Sequence, residues 1–144
     1  MATALSRLGL LFALIPLLGA HPNDTRGPGS ILGVWQRQGD GLLIEIRGDV
    51  FSPEGAHSEV VDWHDWQFPC DIPTQKPFYR RIRWNEDKQA WDCNFLVYYV
   101  DACESEYLQR GVASINQDDN LVIVCPGHPT RTFHKNEPRF QQGH

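Results

Sequence analysis

Histidine and carboxylate side chains cluster once in this sequence, in Asp62-Trp63-His64-Asp65-Trp66. Along an extended strand Asp62 and His64 share a face, where a metal ion can bridge them. A stable site needs one or two further ligands, and nothing nearby supplies them. The segment therefore reads as a polar, aromatic-rimmed loop or edge strand. His21 offers a second metal chemistry if it becomes the N-terminal residue, because its α-amino group and imidazole can chelate copper together. The opposing ligand would have to be His57, His64, His128 or His134. His21 sits on a Pro/Gly-rich leader, however, and a floppy ligand is poorly preorganised. No serine among Ser30, Ser52, Ser58, Ser105 and Ser114 lies in a Gly-x-Ser-x-Gly context. There is no Gly-rich phosphate loop and no zinc-knuckle spacing. Glu45, Glu54 and Glu59 are ordinary solvated carboxylates. The sequence thus predicts no enzyme, no metal and no cofactor.

The four cysteines, Cys70, Cys93, Cys103 and Cys125, take their meaning from the start of the chain. Arg7 gives a positive n-region, Leu8 to Leu18 an apolar run, and Gly19-Ala20 a small-residue exit. That order predicts a secretory signal peptide over residues 1–20, too short for a membrane span. A secreted chain meets oxidising conditions, so the cysteines are expected to form two disulfides. Four cysteines allow three connectivities; hairpin register favours Cys70–Cys103 with Cys93–Cys125. Asn23-Asp24-Thr25 is a glycosylation sequon in a flexible leader spanning 21–30.

The net charge is −5 over 144 residues, and no run of four basic residues occurs. Such a chain is a poor candidate for nucleic acid or an anionic membrane. No helical periodicity lasts beyond two turns. Alternating segments instead predict eight strands: Ile31–Gln38, Leu42–Arg47, Glu59–Phe68, Phe78–Trp84, Trp91–Val100, Tyr107–Asn116, Leu121–Cys125 and Thr130–Lys135. Gly, Pro, Asn and Asp punctuate them. The expected fold is all-β, an antiparallel meander over residues 31–135 closed into a small barrel, with a β-sandwich as the alternative. Closure removes both exposed edges. Residues 136–144 read as a disordered tail.

Gly33-Val34-Trp35 at the start of the first strand, ahead of a meander, resembles the opening of the lipocalin and calycin families. The resemblance implies that Trp35 lies across the closed barrel end under a basic residue from a late strand, Arg110 or Arg131. The run from Leu121 to Phe133, with its Cys125-Pro126-Gly127-His128-Pro129 turn, is similar to the closing segment of small lipocalin-like secreted domains.

Aromatic side chains carry the remaining functional expectation. Trp84, Trp91, Phe95 and Tyr99 are predicted to line the interior and contact a small, mostly apolar ligand. Trp63, Trp66 and Phe68 are predicted at the mouth or surface, suited to an extracellular protein or glycan partner. Two expectations follow: a secreted lipocalin-like binding module, or an extracellular interaction protein whose barrel is filled. Oligomeric state is not encoded in any recognisable pattern.

Overall fold

The computed structural model describes residues 27–64, 76–99 and 101–137. The predicted signal segment, Asn23, Trp66, Phe68, Cys70 and the last seven residues lie outside the described residues. Among the described residues eight strands are present: β1 Gly33–Arg37, β2 Leu43–Arg47, β3 His57–Asp62, β4 Tyr79–Asn85, β5 Ala90–Tyr99, β6 Glu104–Ile115, β7 Leu121–Val124 and β8 Arg131–Lys135. They form one antiparallel sheet in the order β3-β2-β1-β8-β7-β6-β5-β4. The first and last strands of the chain pair directly, Trp35 opposite Lys135 and Arg37 opposite Phe133.

The two ends of this sheet, β3 and β4, approach each other and nearly close the barrel. Ala56 and Ile82 exchange backbone hydrogen bonds of 2.9 Å in each direction. The Tyr79 amide donates to the buried Ser58 hydroxyl at 3.0 Å. These few bonds satisfy edge groups that would otherwise template aggregation. Gly55, at φ +70°, makes the approach possible, since a Cβ there would lie 2.7 Å from the Arg81 carbonyl carbon.

Inward positions follow the strand alternation. Trp35, Ile44, Ile46, Ile82, Trp91, Leu121 and Phe133 are all fully buried. Each contributes roughly 1.5–3 kcal/mol by leaving water, before ordering costs. Register shifts on both sides of β5 interrupt the pattern: β4 carries an extra residue between Arg80 and Arg83, and β6 one between Leu108 and Gly111. Phe95 and Leu96 are both buried, and Tyr98 rather than Tyr99 lines the interior.

Several boundaries differ from the sequence reading; β6, for one, begins at Glu104 and not at Tyr107. Pro28–Ile31 forms a 3-10 turn with Ile31 buried, so the folded unit begins before residue 31. Strand β3 stops at Asp62, whose carboxylate accepts a 2.9 Å bond from the His64 amide while His64 turns to φ +51°. That local turn ends the strand well short of Phe68. Beyond β8, the Asn136 amide donates to Val34 at 2.9 Å, which holds residue 136 against β1. Among the described residues, no helix is long and apolar enough to cross a membrane.

Candidate functional site

The two ends of the barrel differ. At one end the 3-10 turn seals the interior, and two indoles hold it. Trp35 donates its Nε1–H to the Ile31 carbonyl at 2.8 Å, and Trp91 donates to Pro28 at 2.9 Å. Trp84 packs edge-on to Trp91 with centroids 5.0 Å apart. Lys135 covers the Trp35 ring at 4.7 Å and donates to the Leu32 carbonyl at 2.8 Å. The basic residue over the indole is therefore Lys135. Arg131 sits at the other end of the same strand, and Arg110 lies on the outer face of β6. Gly33 leaves the room: a Cβ there would stand 3.4 Å from the Lys135 ammonium.

The opposite end is an open mouth enclosing a cavity of about 210 Å³. Its apolar lining comes from Phe78, Phe95, Leu96, Val97 and Ile123. Arg37, Arg131, Tyr79 and His128 add polar groups. Arg37 is only 7% exposed, which an arginine tolerates only when paired. Asp40, in the β1–β2 turn, supplies the pair: Arg37 Nε donates to its two oxygens at 2.9 and 3.1 Å, and Nη2 donates to Oδ2. Partial burial opposes ionisation of Asp40, but the Arg37 contact and the Leu42 amide outweigh it and hold the carboxyl below its usual value. Burial pushes the Tyr79 phenol up to about 12, against the pull of Arg37 and Arg131. Tyr79 therefore stays a neutral hydrogen-bonding group at physiological pH. His128 meets the Phe95 ring edge-on at 5.2 Å.

Of the four aromatics expected to line a ligand site, only Phe95 does so. Trp91 is buried at the sealed end, with Trp84 half-buried beside it. Tyr99 is 46% exposed and its hydroxyl donates to Glu106. Trp63 is half-buried and packs edge-on to Phe78 at 5.7 Å, so it supports the mouth wall instead of standing free. Arg37, Tyr79, Leu96, Ile123 and Arg131 were missed as site residues. Their shared signal is position: each lies near the end of a strand or just beyond the β5–β6 register shift.

The cysteines also depart from expectation. Cys103 is disulfide-bonded. Cys93 and Cys125 are buried free thiols, so the predicted bridge between them is absent. The register explains this. Cys93 pairs with Gly111 on β6, and Cys125 follows Val124, which pairs with Val112. The two thus lie two strand spacings apart, about 9.5 Å, beyond the roughly 7 Å Cα separation a disulfide spans. Burial raises the Cys93 thiol to about 12, with Asp92 and Cys125 adding to the effect. Among the described residues no group of three or more His, Cys, Asp or Glu is placed to hold a metal.

No family model, curated protein or solved structure matches the chain.

Proposed function

We propose that this protein is a secreted, lipocalin-like binding module that takes a small, mostly apolar ligand at the open barrel mouth. The carrying observation is the 210 Å³ cavity, which sets Phe78, Phe95, Leu96, Val97 and Ile123 beside polar groups and a guanidinium at its rim. Sites for drug-sized molecules run from about 300 to 1,000 Å³. The ligand is accordingly smaller than that, or inserts only one end. Arg131 at the rim, with Arg37 already paired to Asp40, favours an anionic polar end. Secretion rests on the opening segment from Arg7 to Ala20, with Asn23 as the glycan acceptor. Cys70 is the proposed partner of Cys103.

A filled barrel acting as an extracellular interaction protein is the second reading. The solid packing of the sealed half, around Trp35, Trp91 and Phe133, favours it. Calorimetric titration with octanoate and octanol separates the two. Ligand binding predicts saturable one-to-one binding of octanoate, with a dissociation constant on the order of 0.01–1 mM. Octanol should bind more weakly, and Ile123→Trp should abolish both. Absence of binding by either compound would favour the filled barrel.

A further inference from the structure

A second cleft, of about 330 Å³, lies across the outer face of β4, β5 and β6, away from the mouth. Arg81, Arg83 and Arg110 converge on it from β4 and β6. Its one acid, Asp92, is already occupied: Oδ1 accepts from Lys88 at 2.6 Å and Oδ2 from Asn85 at 2.7 Å. Lys88 and Asp92 therefore cancel, and three guanidinium groups remain unbalanced in a chain of net charge −5. All three are exposed, and none donates a hydrogen bond or joins an ion pair among the described residues. Like charges held together repel, so such a cluster is favourable chiefly when an anion joins it.

Asn94 gives an independent indication. It lines the same cleft, is only 8% exposed, and its Nδ2 has no hydrogen-bond partner. A buried donor left unsatisfied is costly, and native structures rarely keep one without a reason. Turning the Asn94 amide toward the cleft would let an acceptor oxygen there satisfy it. Guanidinium forks match a tetrahedral oxyanion through paired N–H donors, which lysines cannot imitate.

We infer that the β4–β6 cleft is an oxyanion site for a sulfate or phosphate group, with Arg81, Arg83 and Arg110 supplying the charge and Asn94 a buried donor. The group arrives either as a free ion or as an ester on a saccharide.

Calorimetry and amide NMR on the full chain at low ionic strength test this, with inorganic sulfate, inorganic phosphate and a fully sulfated disaccharide as probes. At least one should bind saturably and shift the Asn94 side-chain amide signals. Arg83→Gln with Arg110→Gln should weaken binding by about tenfold or more, since two charge-assisted bonds are lost. A charge-matched control, Arg47→Gln with Lys76→Gln, should change affinity by less than about twofold, as screening damps remote charges. Tighter binding of the disaccharide than of the free ions would support a glycan carrier; equal binding would support the free anion. The inference is overturned if none of the three probes binds saturably, or if the control pair weakens binding as much as the cleft pair.

Discussion

Lys135 Nζ stands 4.7 Å from the Trp35 ring centroid, and the two residues face each other across the β1–β8 seam that closes the barrel. The ammonium also donates to Leu32, which ties the last strand to the entry of the first. Trp35→Ala removes a side chain only 1% exposed and should cost about 3–5 kcal/mol. Lys135→Gln keeps the fold but loses the cation, so it should cost about 0.5–2 kcal/mol and shift tryptophan emission. Urea denaturation followed by fluorescence reads both. An unchanged midpoint for Trp35→Ala would contradict this account of closure.

The Arg37–Asp40 pair predicts a specific pH dependence. Asp40 has a lowered value in the folded state, so the unfolded chain binds more protons as pH falls. The stabilisation is fully present above the unfolded value of about 3.9 and disappears as pH drops through the lower folded value. Asp40→Asn should therefore lose about 1–3 kcal/mol at pH 7, because Arg37 is buried beside it. The difference from wild type should shrink toward zero in strong acid. Denaturation midpoints at pH 7 and in strong acid check this, and a difference that grows in acid would contradict the sign.

Strand existence was legible because β-alternation and turn residues agree along most of the chain. Leu42, Ile44 and Ile46 alternate with polar neighbours, and all three are buried. The interior set was less legible because extra residues in β4 and β6 shift the register on both sides of β5, and a bulge has no pattern of its own. Tyr99 stands in solvent at the end of β5, while Leu96 and Tyr98 line the mouth. Arg37 was missed for a different reason. Its burial depends on Asp40 across a turn, a pairing that strand periodicity does not encode. The outer cleft was invisible because Arg81 and Arg83 meet Arg110 only through the β4-β5-β6 order.

Gly111 separates the two free thiols, and its missing side chain is filled by Cys93. A Cβ at Gly111 would lie 2.8 Å from Cys93 Sγ and 2.9 Å from its carbonyl oxygen. Gly111→Ala should therefore destabilise the barrel by about 1–3 kcal/mol, with only partial rescue by Cys93→Ala because the carbonyl clash remains. Thiol labelling of native protein should be slow at Cys93, whose thiol is raised to about 12. Denaturation without reductant should release two reactive thiols. Release of none would contradict the free-thiol assignment.

Methyl NMR during titration with octanoate tests the central claim most directly, because it locates the ligand as well as detecting it. Binding at the mouth predicts saturable, one-to-one shifts of the Ile123 and Leu96 methyl groups, both lining the cavity. Ile31, packed under the sealed end, should stay unmoved. Absence of saturable shifts at Ile123 and Leu96, or shifts confined to other surfaces such as the exposed Val61, would contradict the proposed binding module.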